Sequence, residues 1–190
     1  DGKMVDIRKA YQAHVAKLLT LAGIDDAEAR AARILALETA IARVHATQEQ
    51  TNDVRQGDNE WQRADFPRKA PGLEWDAFFE GAQLAAQPNF IVWQPGAIAG
   101  ISRLAAAQPL EVWKDYLTVR AIDRASSFLP KAFADQRFAF YGTVLAGTPQ
   151  QRDRWKRSLN AVDAQLGEAV GKQYVEQHFS PETKARADTA

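Results

Sequence analysis

Gln150–Phe179, QQRDRWKRSLNAVDAQLGEAVGKQYVEQHF, is the longest clean amphipathic pattern in the chain. Trp155, Leu159, Val162, Leu166, Val170 and Tyr174 recur every three or four residues, which places them on one face of an α-helix. Arg152, Arg154, Lys156, Arg157, Asp163, Glu168 and Lys172 fall mostly off that stripe. A helix of ~28 residues runs ~42 Å at 1.5 Å per residue. An apolar stripe of that length has to be buried by several partners, so the pattern predicts a long spine helix. The stretch carries no catalytic motif.

Working outward, the composition sets bounds. The 190 residues are 46% hydrophobic, enough for a sizeable core in a single helical domain spanning 1–190. Lys plus Arg equals Asp plus Glu, 24 each, which argues against nucleic acid or an anionic membrane as the main partner. The chain contains no cysteine, so it has neither disulfides nor thiolate metal sites. No apolar run approaches the ~20 residues of a membrane span, so no membrane insertion is expected.

Ahead of the spine, Ile7, Tyr11, Val15, Leu18 and Ala22 mark a helix over about 5–22, with Gly23 as its stop. Asp25 or Asp26 is placed to cap a second helix over 26–47, carrying Ile34, Leu37, Ile41 and Val44 among many alanines. The short turn between them predicts an antiparallel hairpin. From Gln48 to Gly72 the pattern lapses, and we expect a short helix near Asn59–Asp65 within packed loop. Trp75, Phe78, Phe79 and Leu84 predict a helix over 73–86. Asn89–Trp93, NFIVW, is the one strand-like run, expected as an isolated segment with no sheet partner. Pro95 and Pro109 suit the starts of the next two helices, and Pro130 a break between two more. Phe133, Phe138, Phe140, Tyr141 and Leu145 are expected core, closed by Gly147. Ser180-Pro181-Glu182 reads as a further helix start, which suggests a piece of a longer protein. The count is about eight helices in an all-α orthogonal bundle.

Chemistry-bearing patterns are few. His14, His45 and His178 show no i, i+4 pair and no HExxH, so no metal site is expected from them. His14 and His45 read as polar edges of helix faces. Glu38, inside ILALETAIA, lies close to the apolar side of its helix and needs a partner there; a structural salt link outweighs a catalytic acid. Arg152, Arg154, Lys156 and Arg157 surround Trp155, but Asp153 interrupts them, so a solvated helix start is a better reading than a phosphate site. The five tryptophans read as core more than as a ligand platform, and Trp61, set in the polar stretch, is the one to watch. No residue is assigned a catalytic or metal-binding role, and no substrate-contacting residue is identified.

Six stretches in order carry a resemblance: AYQAHVAKLLTLAG, ILALETAIA, APGLEWDAFF, FIVWQPGAI, FAFYGTVLAG and RWKRSLNAVDAQLGEAVGKQYVEQHF. Together they resemble the neprilysin and endothelin-converting-enzyme family of zinc metallopeptidases, in the non-catalytic helical region ahead of the zinc-binding stretch. Ser158 stands where many animal members have a disulfide cysteine, which is similar to bacterial members. The resemblance implies a chamber-forming lobe that faces a zinc-bearing catalytic lobe of the same parent chain. It also implies short peptides as substrates, zinc as the parent's cofactor, and a location outside the cytoplasm. The rival readings are a stand-alone helical protein- or peptide-interaction module and, on the Arg152–Arg157 cluster alone, a nucleic-acid binder.

Overall fold

The computed structural model describes residues 2–188. Helices dominate: α1 (Gly2–Leu21), α2 (Ala27–Val44), α3 (Gln48–Asn52), α4 (Val54–Gly57), α5 (Phe66–Lys69), α6 (Trp75–Gly81), α7 (Pro95–Ala107), α8 (Leu110–Ala125), α9 (Lys131–Arg137), α10 (Arg154–His178) and α11 (Pro181–Asp188). The fold class is the expected all-α one, with eleven α-helical segments rather than about eight among the described residues. The extra ones are short pieces of the polar stretch. The chain divides into two compact units, Asp1–Leu145 and Ala146–Ala190.

In the first unit, α1 and α2 form the expected hairpin. Gly23, at φ 71°, ends α1 in the left-handed region, where the missing Cβ removes the strain. The Gly23 amide donates to Thr20 O and the Ile24 amide to Leu19 O, the Schellman pattern, and Ile24 packs back onto the core. Asp26 sits at the N-cap of α2 but makes no side-chain cap. Its own backbone is left-handed, at φ 55°, so the turn geometry displaces the expected cap. Val15, Ala16 and Leu19 of α1, Ala27, Ala31 and Ile34 of α2, and Val119 of α8 make the first core cluster. The alanines let these helices approach closely.

The polar stretch 48–72 departs most from expectation. Thr47 and Gln50 form a capping box that starts α3. The expected helix near Asn59–Asp65 is instead a strand, β1 (Glu60–Gln62), followed by a 3₁₀ turn over Arg63–Asp65. The NFIVW segment is not isolated either. Its β2 (Asn89–Ile91) pairs antiparallel with β1, with Trp61 opposite Phe90. Alternation explains the pairing: Trp61, Phe90 and Val92 turn inward, while Glu60, Gln62, Asn89 and Ile91 turn out. Trp61, Phe66, Ala70, Trp75, Phe79 and Val92 form the second core cluster. Phe66 is its hub, edge-on to Trp61, Phe79 and Phe90. α6 is shorter than expected, and Phe78 and Leu84 are exposed. Phe138–Leu145 is π-helical; Phe140 is buried within it, while Leu145 is exposed.

In the second unit, α10 spans 25 residues, close to the expected spine, but its apolar stripe is not buried. Trp155, Leu159, Val162, Leu166, Val170 and Tyr174 are 41% to 60% exposed. The helix also breaks step at Leu166, whose φ −127° and ψ 22° are non-helical. Ser180 caps α11 by accepting from the Thr183 amide at 3.2 Å.

Two glycines test this account of the backbone. A Cβ at Gly23 would meet open space, so Gly23→Ala is expected to cost only the left-handed strain, about 1–2 kcal/mol. Gly72, at φ 125°, sits against the Ser102 carbonyl, which a Cβ would overlap. Gly72→Ala is therefore expected to cost clearly more, ~3 kcal/mol or above, in denaturant unfolding.

Candidate functional site

The densest polar chemistry lies where α1, α2, α8, α9 and the π-helical run meet. Helical spacing sets it up: Tyr11 and His14 are three apart on α1, and Arg120 and Asp123 three apart on α8. The Tyr11 hydroxyl donates to Glu38 Oε1 at 2.9 Å, and Arg120 Nη1 lies 3.9 Å from the same oxygen. This is the structural salt link the sequence called for at Glu38. His14 is buried and satisfied at both ring nitrogens. Nε2 lies 3.3 Å from Asp123 Oδ1, and Gln136 Nε2 lies 3.2 Å from Nδ1. The ring stacks on Phe140 at 4.9 Å. Asp123 also accepts from the Tyr141 hydroxyl at 2.7 Å and faces Arg137 Nη1 at 3.8 Å. A further carboxylate, the buried Asp115, is gripped by Arg30 and, at 3.4 Å, by Arg33 of α2.

The electrostatics follow from burial and partners. Burial pushes the Tyr11 hydroxyl well up, and the Glu38 charge and hydrogen bond push it further. Burial also raises Glu38, outweighing the Tyr11 hydrogen bond and the Arg120 charge that pull it down. Burial alone would raise Asp123 too. The hydrogen bonds from His14 and Tyr141, with the Arg137 guanidinium, win and hold it below the usual carboxylate range. Tyr141 is pushed up to about 12 by burial and by Asp123. The arrangement locks helices in register. Nothing in it pairs a nucleophile with a base beside an open cleft.

The other flagged residues stay apart from this cluster. His45 faces Gln94 Oε1 at 3.2 Å, which also accepts from the Ala46 amide at 3.0 Å. These line a groove of about 320 Å³ with Gln50, Thr51, Gln56 and Trp93, missed by the sequence reading because its walls are uncharged and come from three segments. His178 stacks against Tyr174 at the end of α10. Trp61, the tryptophan to watch because of its polar setting, is a core residue, in line with the general reading of the tryptophans, 7% exposed, with Lys69 over its ring. The inward face of β1 puts it there. Arg154 is exposed, Arg157 is half-buried and donates its Nε to Arg152 O at 3.1 Å, and Lys156 lies 3.8 Å from Asp153. Ser158 donates its hydroxyl to Arg154 O at 3.0 Å. Among the described residues, no three His, Cys, Asp or Glu side chains are grouped to hold a metal ion. No described helix is long and apolar enough to cross a membrane.

These features define a mostly helical segment whose helices are tied to one another by polar contacts. The N-terminal profile of peptidase family M13 matches residues 1–190, and the chain belongs to that family. It is 27% identical over 188 residues to human endothelin-converting enzyme 1, covering 93% of this chain and 24% of that protein. It is 24% identical over 198 residues to Drosophila melanogaster neprilysin-2, covering 94% and 25%. Among solved structures, the zinc metalloprotease Zmp1 of Mycobacterium tuberculosis in its open state aligns with TM-score 0.89 and 32% identity. That alignment covers 100% of this chain and 30% of Zmp1. The inhibitor complex of Zmp1 aligns with TM-score 0.85 and covers 29% of that chain. The chain thus spans less than a third of the length of these relatives.

The opposite shifts of Asp123 and Glu38 predict opposite pH behaviour. The folded value of Asp123 is depressed, so its contribution is present above the unfolded carboxylate value and lost as pH falls through the folded one. Tyr141→Phe deletes one of its donors and is expected to cost about 1.5–3 kcal/mol at neutral pH, shrinking in acid. The folded value of Glu38 is raised, so its contribution is full below ~4.3 and lost as pH rises through the folded value. Glu38→Gln should therefore gain on the wild type as pH rises toward neutrality. Urea unfolding of each variant across pH checks both, and curves parallel to wild type would refute the assignments.

Proposed function

We propose that residues 1–190 form the helical, non-catalytic wall of a zinc-dependent endopeptidase that hydrolyses short peptides. In this reading the wall faces a catalytic lobe supplied by the rest of the parent chain. The observation that carries it is the family match along the whole sequence, joined to a close structural likeness to a zinc metalloprotease of which it spans 30%. The described residues do not fit a zinc site, because no ligand set converges among them. No catalytic step is therefore assigned to this chain. Zinc belongs to the parent, where it would activate water for peptide hydrolysis.

The contribution of these helices is exclusion. A wall that stays rigid admits short, flexible chains and keeps folded proteins away from the reacting centre. Partly buried ion pairs at Asp123 and Asp115, each joining different helices, contribute to that rigidity. The family resemblance also leads us to place the parent outside the cytoplasm. A chain without cysteine needs no particular redox compartment, so composition does not oppose this.

The purified parent protein is expected to retain zinc, to cleave short fluorogenic peptides faster than folded proteins, and to lose activity with a chelator. Residues 1–190 alone are expected to do neither. Stoichiometric zinc retention and peptide cleavage by this stretch alone would overturn the division of labour.

A further inference from the structure

The unexplained feature is the apolar face of α10. Six large side chains, Trp155, Leu159, Val162, Leu166, Val170 and Tyr174, lie 41% to 60% exposed, and no residue of the helix is buried. Contiguous apolar surface on this scale marks an interaction site. The spacing of four, three, four, four and four residues is that of a helix–helix seam, and charged residues keep off it. We propose that this face is a docking seam for an amphipathic helical segment of the parent polypeptide lying outside residues 1–190.

The proposal rests on the reading above that a longer parent exists. The relatives supply the occupant's source. Zmp1 matches this chain over 100% of its length with TM-score 0.89, yet the match spans only 30% of Zmp1. An enzyme of that size holds more than twice as much further polypeptide, within which a helix of this pattern has candidates to bury it. Geometry narrows the occupant. The break at Leu166 divides the seam. Before it, Arg154, Trp155, Ser158, Leu159 and Val162 line a shallow, almost wholly apolar depression. After it, Val170 and Tyr174 continue the stripe. Two shorter helices, or one bent helix, follow such a surface better than one straight rod. Charge sets its direction. Arg154 and Arg157 flank the Trp155 end, so the occupant carries carboxylates at that end.

The test uses the parent protein. Hydrogen exchange of the amides of 154–178 is expected to be slowed more than about tenfold relative to a solvent-exposed helix. Leu159→Asp combined with Val162→Asp is expected to restore fast exchange there and lower the melting temperature, whereas Lys172→Asp, off the stripe, is expected to change neither. If the double variant does not fold, Val162→Ala replaces it: exchange over 154–178 faster than in the wild type supports the seam, and exchange equal to the wild type overturns it. Fast exchange over 154–178 in a folded, monomeric wild-type parent would overturn the seam. So would protection that appears only as the parent self-associates in sedimentation, which would make a second copy the occupant. Peptide hydrolysis by the same preparations reads out the parent's activity separately. Hydrolysis with an unprotected α10 removes the seam alone, and a protected α10 without hydrolysis removes the peptidase reading alone.

Discussion

A carboxylate drawn partly out of water is costly unless it is well partnered, and the half-buried Asp123 is where the first unit meets that constraint. Its partners come from α1, α9 and the π-helical run: His14, Arg137 and Tyr141. Removing any one leaves charge or a polar ring nitrogen without its counterpart in a site that water reaches poorly. The helices therefore share one register or lose several bonds together. Asp115 imposes a similar constraint between α8 and α2. Apolar packing alone would permit small slides of helix on helix, and these polar ties do not.

The middle of the first unit is held differently. α3 to α6 and the two strands are each too short to persist alone. α5, α6 and the two strands converge on one aromatic cluster, where Phe66 contacts four other rings. Polar ties anchor the cluster to α7: Ser102 Oγ donates to Ala70 O at 2.8 Å, and the Leu73 amide donates to Ser102 Oγ at 3.0 Å. The Trp75 indole donates to the same Ala70 carbonyl at 2.6 Å. Irregular backbone is thus fixed as firmly as helix, by side chains and not by ladder length.

What could be read from sequence follows from how far each signal reaches. The α1–α2 hairpin was legible because its periodicity, its Gly23 stop and its short turn are all local. The need of Glu38 for a partner was legible from its apolar neighbours. Which residues would answer it was not, because Arg120 is 82 positions away. The β1–β2 pair was missed for the same reason. Glu60–Gln62 is three residues long and becomes a strand only when Asn89–Ile91 lies alongside it. Trp61 looked like a loop residue because its setting in sequence is polar, while its burial is decided by Phe66 and Phe90. The His45–Gln94 groove had no local signature at all.

The burial expected of α10 failed in a more informative way. An apolar stripe reports that a face is selected to leave water, and it says nothing about the identity of what covers it. In a complete domain the two questions have one answer, because the same chain supplies both face and cover. Here they separate. The stripe has the length and spacing of a buried seam, yet it lies open along both halves of the kinked helix. The first unit, by contrast, buries its own apolar clusters and satisfies its own carboxylates. One unit thus covers its own apolar faces, while α10 presents a face that no described residue of its helix buries.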